Sequence, residues 1–583
     1  MKIDINKAKM SMLAYVLKAK WLHMFFPLVV LTLYFLSFSW FLSWLVPEYA
    51  VNVNADFVNR AWKFALLLAA GLYLIFFIFF KIQRRNKLTY ENSVQKSGVS
   101  DLFLILLPLT PVVQYILRNQ DILSPLGSLY VLAVFMIFSV LFIIVIPTLL
   151  GVVVSAKALT ILGLAFTFTI TNMASLSAQF HWFEQGSLKI QLLLFSAIFL
   201  VSWILYNQVG RKFLYVVVAI CFLSNSAIQL APTAGVKMAL SNNDNKLVEL
   251  AAFKKPLSTP NIYLLIYDSY VINETMLGYG IDNSAQEKYL EKLGFKLYPH
   301  TYSVGDQSIS SMSRVLNAST GYYGSERRGV SGDGIIQNLL KSFGYETYGI
   351  FSDDYFFRGI GSSYDFPATK ESPSTYKLLV KAILMGEFRF DVEFGKPSHE
   401  QFVKNKLSIF KSISNKPRFV YMHTFAPGHS QYACLPNEEA LFRERLIKAN
   451  DEMKLDIETI TQKDPGAIII VAGDHGPRLT KDCWETGVNY DVSEISRLDI
   501  QDRFGTFLAI KWPTADFSKY DDITVLQDLF PAIFAYLFED AKILEAKVAS
   551  TTLHDSTISG ASVKNGIIYR GINDGEPLFI DQR

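Results

Sequence analysis

Apolar and polar positions divide this chain into two halves of different texture. Before Leu230 long apolar runs follow one another at Leu22–Val46, Ala61–Phe80, Leu102–Leu117, Leu129–Val154, Ala158–Ile170, Ile190–Tyr206 and Phe213–Leu230. A membrane-spanning helix needs about 20 mostly apolar residues, within roughly 17–25. The third and fifth runs are short of that and the others reach it. The pattern predicts about seven spanning helices, and at least five. No charged residue sits at the middle of a run, which argues against an ion or proton pathway and for anchoring.

Basic residues set the orientation, because they concentrate on the cytoplasmic side of a membrane protein. Lys2, Lys7, Lys9, Lys18 and Lys20 precede the first run, and Lys81, Arg84, Arg85, Lys87 and Lys96 follow the second. Lys157, Arg211 and Lys212 continue the alternation, whereas Pro47–Asn59 and Thr171–Gly186 are poor in such charge. The N-terminus is therefore expected in the cytoplasm of a bacterial-type inner membrane. The polar half is expected on the periplasmic or extracellular side, a placement that survives loss of both short runs. The first run is long and no small-residue cleavage site follows it, so a cleavable signal peptide is not expected.

Pro232–Pro260 is polar and reads as a linker between a membrane domain over 1–231 and a soluble domain over 261–583. Beyond it, short continuous runs rich in Ile, Val, Tyr and Phe appear at Ile262–Tyr267, Phe419–His423 and Ile468–Ala472, with further candidates at Thr347–Phe351 and Phe507–Trp512. Such runs predict strands buried on both faces. Helical patterns at Ala285–Leu293, Glu438–Ile460 and Val525–Phe538 lie between them. The expectation is an α/β domain, a mostly parallel sheet with helices on both faces.

Ligands of such sheets collect at the carboxyl ends of the strands. The first strand ends in Asp268, the second in His423, and the third runs into Gly473-Asp474-His475-Gly476. A strand-end Asp is ordinarily a cap or turn residue and a lone His ordinarily a core residue. Three strand ends that all deliver metal-binding side chains point instead to one shared metal site.

Composition agrees with the division. Hydrophobic residues make up 51% of the 583 and charged residues 18%, with a mean hydropathy of +0.25. The net charge of +3 gives no reason to expect a nucleic-acid partner. Cys221 lies in an apolar run, and Cys434 and Cys483 fall in the exported half, where they have the chance to pair.

The polar half resembles the alkaline phosphatase/sulfatase superfamily. The resemblance rests on Tyr263-Leu-Leu-Ile-Tyr-Asp268-Ser, the Ser-rich Gly305–Asn317, Met422-His423 with His429, Val471-Ala-Gly-Asp474-His475-Gly-Pro, and Asp528-Leu-Phe-Pro531. Apolar spans followed by such a domain look like membrane phosphoethanolamine transferases and lipoteichoic acid synthases. Those usually carry five spans, fewer than the seven expected here. The resemblance implies one divalent ion, zinc with manganese or magnesium as alternatives, held by Asp268, a Ser hydroxyl, Asp474 and His475. It implies His423 and His429 beside the leaving group, at a spacing of six. A further His that several relatives carry after the Gly-Asp-His-Gly element is missing, and Arg478 or Lys481 then takes the phosphate, with Arg327 and Arg328 as additional candidates.

The nucleophile has three registers. The family places it at a helix N-terminus, commonly with a Ser three residues later; Ser308 with Ser311 and Ser310 with Ser313 both fit. The Ser310 register puts Arg314 where sulfatases carry an Arg, but Met312 replaces their small or Pro residue. A third register places Gly305 at the nucleophile position and makes the chain catalytically dead. Ser308 is preferred, because the other expected ligands are all present. The implied function is transfer of a phospholipid-derived headgroup, phosphoethanolamine or phosphoglycerol, to a cell-envelope glycan or lipid such as lipopolysaccharide. A non-catalytic membrane sensor, and a sulfatase or phosphodiesterase that uses water, are the rival readings.

Overall fold

The computed structural model describes residues 99–118, 123, 125–150, 156–179, 188–230 and 244–580, the last range with gaps at 324–325, 353–356, 358–362, 367–376, 378, 381–397, 431–436, 482–489 and 554–556. The first two apolar runs, the N-terminal lysines, Cys434 and Cys483 lie outside the described residues. The chain divides into two units: Met1–Ala234 with Glu371–Gly395, and Gly235–Lys370 with Lys396–Arg583.

In the first unit, α1 (Leu106–Arg118), α2 (Pro125–Val140), α3 (Ala156–Gln179), α4 (Leu188–Ile204) and α5 (Arg211–Leu230) each fall on an expected apolar run. Helix α2 continues through a π-helical turn, Leu141–Val145, and gives an apolar stretch over Pro125–Thr148 that contains an 18-residue window with a mean hydropathy of 3.1. Among the described residues this is the one stretch long and apolar enough to cross a membrane, and the apolar segments of the neighbouring helices, such as Ala156–Asn172, are shorter. Leu126, Leu129, Ile137, Leu193 and Leu200 point outward. Thr167, Thr169 and Thr171 are buried and bond their hydroxyls to carbonyls one turn back, at 2.8, 2.7 and 2.9 Å. The threonine hydroxyls are thus satisfied within their own helix. A Cβ on Gly163 of α3 would lie 2.0 Å from the Phe142 carbonyl, so glycine lets α3 meet the π turn backbone to backbone. Asp101, which precedes the third run, is buried and accepts a hydrogen bond from the Tyr215 hydroxyl.

In the second unit, part of the expected linker is ordered: α6 (Lys246–Ala251) is capped by Asn245 and buries Leu247 and Ala251 in the domain core. The sheet contains β1 (Ile262–Tyr267), β2 (Lys296–Leu297), β3 (Glu346–Phe351), β4 (Arg418–Thr424), β5 (Ile468–Ala472) and β6 (Leu508–Lys511). Their order is β2-β6-β5-β1-β4-β3, with β3, β4, β1 and β5 parallel and β6 antiparallel to both neighbours. The run at Phe507–Trp512 is thus a strand, but a reversed one.

Strand β1 is apolar throughout because both of its faces are covered. Ile262, Leu264 and Ile266 join one core with α7 (Ser308–Val315) and the later helix Leu529–Phe538. Tyr263, Leu265 and Tyr267 join the other, with α8 (His399–Lys411) and α9 (Glu438–Lys463). Each fully buried side chain of this size contributes about 1.5–3 kcal/mol. In register, Ile266 of β1 stands beside His423 of β4 and Ala472 of β5, so the three strands end level.

Candidate active site

Level strand ends bring the expected side chains together. Donor atoms of Asp268, His423 and Asp474 all lie within 4.8 Å of one another, and all three residues are buried. His423 Nε2 is 3.4 Å from Asp474 Oδ2. His475 Nε2 reaches in at 3.5 Å from Asp268 Oδ1 and 3.6 Å from Asp474 Oδ2. Two ligands about 2.1 Å from a tetrahedral ion stand about 3.4 Å apart, so these spacings suit a shared cation.

Two observations test whether the residues fit an ion. His423 Nε2 and Asp474 Oδ2 are buried and make no hydrogen bond. A buried polar atom without a partner is costly, and a cation between them would satisfy both. The imidazoles are also oriented from behind. His475 Nδ1 lies 2.8 Å from the Gly476 carbonyl, which fixes its N–H there and leaves the Nε2 lone pair facing the cluster. His423 Nδ1 lies 2.9 Å from the Tyr421 hydroxyl. His423, assigned from sequence to the leaving group, stands with Asp268 and Asp474 among the side chains that could hold an ion.

Ser308 is the first residue of α7, and its Oγ is 3.2 Å from His475 Nε2. A hydroxyl there sits at the positive end of the helix, beside the cluster. Ser310 is differently engaged: Arg314 bonds its hydroxyl, and Tyr322 donates to it at 3.1 Å. Ser311 donates to the Asp474 carbonyl at 2.8 Å and ties α7 to the strand end. A Cβ on Gly305 would meet Ser310 Oγ at 3.2 Å and Ser311 N at 3.3 Å, a crowded position for a side chain.

Arg478 has a left-handed backbone (φ +57°) and points its NH2 at Asp306, 3.6 Å from Oδ2. Its Nε is buried without a hydrogen-bond partner, and its charge acts on Asp268, His475 and His429. His429 sits on the loop after β4, its ring 6.1 Å from that of His475, with Nδ1 2.7 Å from the Ser430 carbonyl. Lys481 is engaged elsewhere: its ammonium meets the Glu494 carbonyl and stands over the Tyr490 ring. Arg327 is half-buried in the turn before Gly329–Asp333, and Arg328 pairs with Asp333 at 2.6 Å.

The two carboxyls have opposed electrostatics. Burial, then the neighbouring Asp474 charge, drives Asp268 well above the ordinary carboxylate range. Burial also opposes ionisation of Asp474, but His475, His423 and the Ser269 amide outweigh it and hold that carboxyl far below its usual value. Burial lowers His475, and burial with the nearby His475 lowers His429 to about 4.

Several supporting residues carry no motif. Ser269 donates its amide to Asp474 Oδ1 at 2.9 Å and its hydroxyl to Asp268 Oδ1 at 3.0 Å, fixing both carboxylates. Phe357 lies on the His423 ring at 4.1 Å. Arg503 meets Asp306 Oδ2 at 2.7 Å, nearly 200 residues away in sequence, and no local signal could have found it. Ser269 had a signal, since it directly follows the ligand at the end of β1.

No family model matches the chain. No curated protein matches it in sequence either. In structure the chain is similar to sulfatases, phosphoethanolamine transferases and a lipoteichoic acid synthase. One is the lipoteichoic acid synthase LtaP from Listeria monocytogenes, at 12% identity and a TM-score of 0.35 over 57% of this chain and 88% of that one. Another is the C-terminal periplasmic domain of the phosphoethanolamine transferase EptC from Campylobacter jejuni, at 11% identity and a TM-score of 0.32 over 49% and 94%. A third is a putative sulfatase from Bacteroides fragilis, at 12% identity and a TM-score of 0.31 over 50% and 76%.

Proposed function

We propose that this chain is a metal-dependent phosphotransferase that moves a phospholipid-derived headgroup to an alcohol on a cell-envelope glycan or lipid, through a phosphoserine at Ser308. The observation that carries the reading is the 3.2 Å approach of Ser308 Oγ to His475 Nε2, beside the buried Asp268, His423 and Asp474. Asp268, His423, Asp474 and His475 would hold one divalent ion, and two carboxylates with two imidazoles suit zinc best. Such an ion, when bound, lowers the pKa of a neighbouring hydroxyl and offsets charge on phosphoryl oxygens.

The chain's own residues then divide the work. Ser308 presents its Oγ from the first turn of α7, where the free amides favour an anion. The Oγ–P bond forms as the bond from phosphorus to the diacylglycerol oxygen breaks, and that oxygen leaves with a proton. Arg478 neutralises phosphoryl charge with its unpartnered Nε. His429, with Nδ1 held by the Ser430 carbonyl and its ring beside that of His475, is placed to orient the incoming hydroxyl. That alcohol takes the phosphorus, and Ser308 recovers its proton. The apolar first unit supports a donor in the bilayer, since a soluble substrate would not require it.

The test replaces Ser308 and Asp474 separately by Ala and follows transfer of labelled headgroup and phosphate on the protein. Full activity in the Asp474 variant ends the proposal. Headgroup released to water, unchanged by added acceptor alcohol, would make the chain a hydrolase. Protein that retains no metal and never carries phosphate would make it a regulator that keeps the fold.

A further inference from the structure

Residues of β4 alternate between faces, so His423 and Thr424 leave the strand on opposite sides of the sheet. Behind Thr424, on the side of α8 and α9, lies a cavity of about 340 Å³. Phe402, Phe425, Ala426 and Pro427 form its apolar surface, and Ser352, Thr424, His399, Arg445, Lys448 and Glu452 supply polar groups. That volume is within the range of small-molecule sites. Phe357, which lies on His423 at 4.1 Å, meets Phe425 at 5.7 Å, so two aromatic rings stand between this part of the lining and the His423 imidazole.

The polar groups have hydrogens to offer. Ser352 Oγ already accepts from the Phe425 amide at 3.0 Å, and Thr424 Oγ1 from the Ala426 amide at 3.4 Å, so each hydroxyl keeps its own hydrogen to give. Glu452, the one carboxylate of the lining, has both oxygens engaged: one meets the buried Lys406, which also holds Asp456 at 2.8 Å, and the other meets His399 at 3.0 Å. Arg445 donates to the Pro427 carbonyl at 2.8 Å and pairs with Glu438 at 3.2 Å. Lys448 is exposed and makes no ion pair among the described residues. At the rim this leaves Lys448, among the described residues, as the charge without a counter-ion, beside hydroxyl donors and an apolar floor.

We propose that this cavity is a second binding site, for a small anion carried on an apolar body, separate from the metal centre and independent of the transfer reading. A sulfonate is the suitable probe, because it carries the charge and is a poor metal ligand. The full chain in detergent is titrated with benzenesulfonate and with uncharged benzyl alcohol, while acetylation of Lys448 is followed by mass spectrometry. Benzenesulfonate should slow acetylation of Lys448 several-fold and benzyl alcohol should not. Lys448→Glu, at an exposed position, should weaken benzenesulfonate roughly tenfold, since it removes an attraction and adds a repulsion. Asp474→Ala should leave that binding unchanged. Equal protection by both probes, or binding that survives Lys448→Glu and vanishes in Asp474→Ala, overturns the proposal.

Discussion

His423 Nε2 and Asp474 Oδ2 face each other across 3.4 Å, both buried and neither hydrogen-bonded. Metal content should therefore depend on this pair more than on any other. Asp474→Asn replaces an anionic ligand by an amide of the same shape, and the purified variant should retain little of the one ion per chain expected for the native protein. His423→Ala should lower affinity by about tenfold or more. Removal of the ion by a chelator should lower the melting temperature of native protein, because a ligand present at 100 times its Kd stabilises by about 2.7 kcal/mol. Elemental analysis and thermal melts check this, and an unchanged melt in chelator would contradict it.

Ser308 and Ser310 are separated by what already holds their hydroxyls. Ser308→Ala should abolish phosphate on the protein and reduce transfer by at least about a thousandfold, with metal retained. Ser310→Ala removes a partner of Arg314 and Tyr322, at a cost of about 1–2 kcal/mol in stability, and should keep turnover within a few-fold. Phosphopeptide mapping discriminates them, and phosphate on residue 310 would reverse the assignment.

Much of this was legible in the sequence, because a parallel strand buried on both faces is a continuous apolar run and its ligands follow at the same end. Asp268, His423, Asp474 and His475 were read in that way, and the level strand ends bring them together. What the strand pattern did not show is which way the His423 ring turns, because Tyr421 engages its Nδ1 from within the same strand. The direction of β6 was hidden because a buried strand reads alike in either sense. Asp306 lies two residues before Ser308, yet its partners Arg478 and Arg503 come from far along the chain, and only folding joins them.

That junction makes its own prediction. Asp306 is 4% exposed and compensates two arginines, Arg478 and Arg503, on one side of the segment that carries Ser308. Asp306→Ala would leave buried guanidinium charge without a partner, a change that costs about 3–5 kcal/mol. Activity and stability should fall together in this variant. In Ser308→Ala activity should fall alone. Denaturant midpoints measured beside transfer rates distinguish a clamp from a spectator.

His429 gives the pH dependence. Its imidazole takes up a proton only at about 4 in the folded protein, because burial and then His475 oppose the charge, whereas the unfolded chain binds one near 6.5. Between those values the unfolded state holds more protons, so this residue makes stability rise with pH and fall on acidification. The metal-free native protein should lose more stability than His429→Gln between pH 7 and pH 4.5. The two curves should run parallel above pH 7, and urea melts in chelator at each pH check this.

The glycines that flank Asp474 and His475 close the argument about the strand end. A Cβ on Gly473 would stand 2.0 Å from the Tyr270 carbonyl, and one on Gly476 2.0 Å from that of Asp502. Neither contact is with a flexible side-chain end, so relief requires the backbone to move. The backbone between these two glycines carries Asp474 and His475, with the Asp474 carbonyl bonded to Ser311 of α7. Gly473→Ala or Gly476→Ala should therefore displace ligand and nucleophile together, with loss of metal and of phosphate on Ser308 even though no ligand is changed. Gly466→Ala, where a Cβ meets open space just before β5, is the control and should retain both. If the two flanking variants bind metal as the control does, the Gly-Asp-His-Gly element owes its glycines to something other than close backbone contact.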